Sequence, residues 1–164
     1  MALLYTAEFD VTVTAAGGDT TLWEIDSAAD KPVTILGLSF NATSEVQEAQ
    51  EEWLRCKMIR YIGGTFTSSN GSAVTPRPMD ELNTVAMAAA VEANGTTIAS
   101  TSGTTQNLEA FGFNVRAGYG PIFYPPEYRP RVYGVANSAI VINLLNTLAD
   151  DITLVSTLWL SEGA

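Results

Sequence analysis

The amino-acid sequence predicts an all-β protein, and three observations lead to that expectation. Segment after segment alternates apolar and polar residues with a period of two, as half-buried strands do. Thr, Ser, Gly and Asn recur in clusters roughly every dozen residues, which suits short strands joined by polar turns. Charged residues are only 16% of the 164-residue chain, against 46% hydrophobic. A chain of this length can bury one core and is too short for two ordinary domains, so a single β-sandwich domain over residues 1–164 is expected.

The elements follow in order. From Leu3 to Thr14 the segment LLYTAEFDVTVT sets Tyr5, Ala7, Phe9, Val11 and Val13 on one face and Thr6, Glu8, Asp10 and Thr12 on the other. After the turn AAGGD, TTLWEID places Leu22 and Glu24 opposite Trp23 and Ile25. A second turn, AADKP, leads to PVTILGLSFNA, nearly continuous in apolar and β-branched residues, as a strand between two packed layers should be. SEVQEAQEE is rich in helix formers with Ser44 as a plausible N-cap, so one or two helical turns are expected there. WLRCKMIRYI then reads as a strand with Leu54, Cys56 and Met58 on one face and Arg55 and Lys57 on the other.

GGTFTSSNGSAVTPRP is expected to be a long polar loop ending in a proline-fixed turn. In MDELNTVAMAAAVEANG, alanine and methionine favour helix while the flanking prolines and NGTT favour a strand entering a turn. A short helix or loop followed by a strand around Met87 to Glu92 is expected. NLEAFGFNV is a strand with Leu108, Ala110 and Gly112 opposite Phe111 and Phe113, and SAIVINLLN and DITLVSTLWLSE supply two more. About eight or more strands at this spacing indicate a sandwich or barrel.

Composition also narrows function. The formal net charge is −10, with no acidic tail to account for it. Phosphates would repel such a surface, so neither a nucleic acid nor an anionic membrane is an expected partner. No secretory signal or membrane-length apolar run is legible. There is no histidine, which removes the usual general base and the commonest transition-metal ligand. The single cysteine, Cys56, lies mid-strand among apolar residues and reads as a buried, inert thiol.

Carboxylate pairs remain chemically available to a hydrolase: Asp26 with Asp30, the group Glu48, Glu51 and Glu52, or Asp150 with Asp151. Each lies in a polar turn or hydrophilic segment where a solvated charge is the default, and no calcium-loop or phosphate-loop pattern occurs. No catalytic residue, metal or cofactor is therefore expected. Trp23, Trp53 and Trp159 could form a sugar platform, although most strand tryptophans pack a core or an interface.

The segment YGPIFYPPEYRPRVYG, Tyr119 to Gly134, is the most distinctive in the chain. Prolines 121, 125, 126 and 130 fix φ and withdraw backbone donors, so it cannot be a central strand. Its tyrosines and arginines are the residue types that dominate interface hot spots, and its stiffness lowers the entropy cost of docking. A strap covering the protein's own open end and an intermolecular contact are equally open.

The segments ADKPVTILGLSF, EEWLRCKMIR, GSAVTPRP, VEANGTTIAS and FNVRAGYGPIFYPPEYRP, in this order and spacing, resemble small phage virion proteins of the head decoration or cement type. The resemblance implies a jelly-roll antiparallel β-sandwich with long polar loops and at most one or two short helices. It also implies a homo-oligomer, a trimer by preference, made in the host cytoplasm and bound to the major capsid protein on the outside of the head. Tyr124, Tyr128, Arg129, Arg131 and Tyr133 are the expected contacts, with Arg55, Lys57 and Arg60 as basic spots for an acidic partner. The alternative is a carbohydrate-binding jelly roll of a virion fibre or spike.

Overall fold

Eight strands of five or more residues fall into two facing antiparallel sheets in a computed structural model that describes residues 2–15, 18–44 and 52–163. The strands are β1 (Leu3–Val13), β2 (Thr20–Asp26), β3 (Val33–Ala42), β4 (Trp53–Ile62), β5 (Phe66–Thr67), β6 (Ser72–Ala73), β7 (Arg77–Pro78), β8 (Ala90–Ala93), β9 (Ser100–Thr101), β10 (Thr104–Asn114), β11 (Tyr119–Phe123), β12 (Arg131–Val132), β13 (Ala139–Leu144) and β14 (Ile152–Glu162). The first sheet runs β11-β3-β14-β1-β7, with β12 also paired to β3, and the second runs β10-β4-β13-β2-β8-β6.

Of the eight longer strands, only β4 and β10 are consecutive within one sheet; every other step crosses the sandwich. Counted along the chain, the long strands lie in the order sixth-third-eighth-first in one sheet and fifth-fourth-seventh-second in the other. This is the jelly-roll arrangement of two interlocked Greek keys. The helical turns expected from SEVQEAQEE fall on residues 45–51, outside the described residues.

The period-two pattern is what builds the core. Tyr5, Ala7, Phe9 and Val13 of β1 face inward, as do Ile152, Leu154, Leu158 and Leu160 of the paired β14. They meet Trp23 and Ile25 of β2 and Leu54, Cys56 and Met58 of β4 in one cluster shared by both sheets. The outer face of the second sheet is also partly covered. The small β5–β9 ribbon folds over it, so that Tyr61, Ala99 and Val141 form a second cluster with Ile59 and Phe66. Strand β13 is therefore buried on both faces, which accounts for its unbroken AIVINL run.

Short strands punctuate what reads in sequence as a polar loop: β5, β6 and β7 all lie within residues 63–78. Residues 79–89 contain no helix; the chain extends into β8, whose four residues begin at Ala90, a little after the expected start. The buried carboxylate of Glu162 fixes this loop by accepting from the Ala88 and Ala89 amides, and the Tyr5 hydroxyl donates to the Val85 carbonyl at 3.1 Å.

A buried polar relay ties the sheets together. Trp23 Nε1 donates to Ser156 Oγ at 2.7 Å, and Ser156 Oγ donates onward to the Ser39 carbonyl at 2.7 Å. Ser156→Ala removes one partner from each of two buried groups, which should destabilise the protein by about 1–3 kcal/mol. Thr157→Ala, on the outer face of the same strand, should change stability by no more than about 0.5 kcal/mol. Urea unfolding of the two variants checks both, and equal midpoints would mean that the relay contributes nothing.

Candidate functional site

One long edge of the sandwich is formed where β10, the last strand of the second sheet, faces β11, the last strand of the first. Here the residues opposite Leu54 and Cys56 are Phe113 and Phe111, both turned inward, while Ala110 and Gly112 turn outward opposite Lys57 and Arg55. A bulge between Asn107 and Glu109 leaves Leu108 unpaired. Glu109, opposite Met58, shares the inward face of the two phenylalanines by the alternation of the strand. The Phe111 ring stacks on Tyr119 of β11 with centroids 4.3 Å apart, and Phe113 stacks on Phe40 at 5.8 Å.

Glu109 is the polar end of this aromatic row. It accepts from the Tyr119 hydroxyl at 3.0 Å and from the Tyr124 hydroxyl at 2.5 Å. Burial, and then these bonds to the Glu109 carboxylate, push both phenols well above the ordinary tyrosine range. The carboxylate thus fastens the root of the Tyr- and Pro-rich strap to the opposite sheet.

The strap itself is tied to β3 along its length. The Tyr124 amide donates to the Leu36 carbonyl, the Ile35 amide donates to the Pro130 carbonyl, and Arg131 and Val132 pair with Thr34 and Val33. Between these fastenings, residues Pro126–Tyr128 make one 3-10 turn with no buried residue. Tyr128 is 77% exposed and Tyr133 is 61% exposed. Arg129 Nε donates to the Tyr124 carbonyl at 3.2 Å, and the Arg131 guanidinium lies 5.3 Å from the Tyr133 ring centroid. The backbone is anchored while these side chains face outward.

The eight residues expected as contacts therefore separate into three places. Tyr124, Tyr128, Arg129 and Arg60 line one recess of about 340 Å3 with Glu109. Arg60 has the inward parity of Met58, one face away from Arg55 and Lys57; its Nη1 donates to Gln106 Oε1 at 3.1 Å and its buried Nε has no partner. Arg131 and Tyr133 form a pair further along the strap. Arg55 and Lys57 lie on the outer face of the second sheet.

Two features escape a strand-by-strand reading. Glu109 is the only charge in NLEAFGFNV and has the parity of Phe111 and Phe113, and together these are its sequence signal. Phe123 lies against Trp159 with centroids 4.8 Å apart, over Gly37, where a Cβ would come within 2.7 Å of the Phe123 ring. Of the other tryptophans, Trp23 is in the core and Trp53 is 64% exposed.

The remaining candidates for chemistry are one thiol and several carboxylates. The Cys56 thiol is buried and its pKa is pushed up to about 12, so it stays protonated at neutral pH. Burial, then the charges of Glu24 and Glu92, raise the Asp26 carboxyl. Glu24 accepts from the Ser69 amide and hydroxyl, and Asp151 accepts from the Ala15 amide. Among the described residues no group of three or more His, Cys, Asp or Glu could hold a metal ion. The edge presents aromatic area, guanidinium groups and a hydrogen-bonded backbone.

The raised tyrosine values set a pH dependence. A phenol whose folded pKa lies above the ordinary 10.0 contributes stability that is complete below pH 10.0 and is lost as pH rises through the folded value. The double variant Tyr119→Phe, Tyr124→Phe should therefore lose less stability than the parent protein between pH 9 and about 11.5, as measured by urea midpoints across that range. Parallel curves would show that the two phenols titrate normally.

No family model matches this chain, and no curated protein matches it. Among solved structures, a mutant VP2 protein of infectious bursal disease virus, from T=1 particles, aligns over 98% of this chain at 11% identity and a TM-score of 0.21. The chain spans 40% of the length of that protein, and a likeness at this score carries no argument about fold or function.

Proposed function

We propose that this protein is a non-enzymatic structural component of a phage particle. In this role it decorates the outside of the head, binding the major capsid protein and further copies of itself, with a trimer as the preferred assembly. The observation that carries the proposal is the strap: Tyr128, Arg129, Arg131 and Tyr133 stand outward from a backbone held to β3 by hydrogen bonds on both sides of a proline-rich turn. Exposed tyrosine and arginine on a pre-ordered segment can dock with little loss of conformational entropy, and these residue types dominate binding hot spots. The phage setting comes from the sequence resemblance. A strongly acidic protein also suits the outer side of a shell better than the side facing packaged nucleic acid.

A second function, glycan recognition on a fibre or spike, is favoured by one observation. Trp53 presents an exposed ring at the start of β4, where a flat aromatic face can receive a sugar.

Co-sedimentation with undecorated capsids tests the first proposal. The double variant Tyr128→Ala, Arg129→Ala should weaken binding by about tenfold or more while its melting temperature stays within a few degrees of the parent; unchanged saturation would assign the strap to the internal fold. Saturable binding on a glycan array that disappears in Trp53→Ala, combined with indifference to capsids, would establish the second function in place of the first.

A further inference from the structure

The open edge of β10 carries an inference that the strap does not. The Leu145 amide donates to the Arg55 carbonyl, and the Arg55 amide donates to Asn146, so the backbone of Arg55 faces β13. By the alternation of an antiparallel ladder, Leu54, Cys56 and Met58 face β10 and bond there to Phe113, Phe111 and Glu109. The amides and carbonyls of Ala110 and Gly112 then point away from the sheet, as do those of Thr105 and Asn107 on the far side of the bulge.

Among the described residues the other edges of the two large sheets are short or interrupted. Strand β11 is interrupted by Pro121, β7 is two residues long and includes Pro78, and β12 and β6 are two residues each. Strand β10 has eleven residues, no proline and no lysine, and of the usual protections of an edge it carries a single bulge and the inward Glu109, both at one place in the strand.

The side chains beside this edge specify what could join it. Ala110 and Gly112 are small, and they leave a recess of about 410 Å3 on the outer face whose far wall is Arg55 and Lys57. Neither cation has an ion pair among the described residues. A strand added beyond β10 would place alternate side chains over Ala110 and Gly112, where a carboxylate reaches both cations.

We propose that the β10 edge accepts an extended acidic segment of the assembly partner as an added strand. The edge amides and carbonyls supply main-chain hydrogen bonds, and Arg55 and Lys57 select Asp or Glu at alternate positions. The inference rests on the protein being an assembly component and names the chemistry of a contact separate from the strap.

The test uses the full chain and two synthetic probes, acetyl-TEVEVEVT-amide and acetyl-TKVKVKVT-amide, titrated while backbone amide shifts are followed by NMR. The glutamate peptide should move the Thr105, Asn107, Ala110 and Gly112 resonances and bind at least tenfold more tightly than the lysine peptide. Arg55→Glu with Lys57→Glu should reverse that preference. Ala110→Pro removes an outward donor without touching the ladder to β4, so it should abolish binding of both peptides; Ala110→Glu, which fills the recess with a like charge, serves if the proline variant does not fold.

Absence of shifts along β10, equal affinity for the two peptides, or unchanged binding by the Ala110 variants would overturn the proposal. So would a dimer of the protein itself that light scattering detects and Ala110→Pro dissolves, because the edge would then belong to a second copy. Tyr128 and Arg129 are untouched throughout, so failure here and failure of the strap on capsids are separately visible.

Discussion

The structure depends on the burial of one aromatic row between its two sheets. Trp23 of β2 packs on Phe9 of β1 at 4.7 Å, Phe9 on Phe40 of β3 at 6.4 Å, Phe40 on Phe111 and Phe113 of β10, and Phe111 on Tyr119 of β11. Each step passes from one strand to another, and most pass from one sheet to the other. Large rings bury more apolar area per residue than any other side chains, so the row both separates the sheets and holds them together. Its two ends are polar and satisfied: the Trp23 indole through Ser156, and the Tyr119 phenol through Glu109.

That row also explains where the outward-facing chemistry lies. Once Tyr119 and Tyr124 are spent on Glu109, the strap is anchored at its root, and its fastening to β3 leaves Tyr128, Arg129, Arg131 and Tyr133 facing solvent. The first part of the segment lies against the protein's own second sheet through Glu109, and the second part holds its tyrosine and arginine side chains outward on an anchored backbone. The bulge at Leu108 shifts the register of the first half of the strand, so that Asn107, and not Leu108, lies opposite Ile59.

Charge is unevenly spread across the same region. Arg55, Lys57, Arg60, Arg129 and Arg131 all lie on β4 or the strap, in a chain with only eight Lys and Arg and eighteen Asp and Glu. Several of the acids are absorbed by the fold itself: Glu24 and Glu162 accept from backbone amides, and Glu109 accepts from phenols. Five of the eight cations of this net-acidic protein thus lie on β4 or the strap, and cations are the groups able to attract an acidic surface.

The sequence by itself determined the all-β class and the inner faces of β1 and β4, because a period of two in hydrophobicity has only one inward register. It also determined that the proline-rich segment had to lie at a sheet edge, since proline cannot donate to a ladder on both sides. Only the tertiary structure decided which sheet each strand joined and where the bulge at Leu108 fell. It likewise decided that β10 was left with an open side. These are consequences of contacts between strands far apart in the chain. A pattern local to one strand records which face is apolar and carries no information about the neighbour that will cover it.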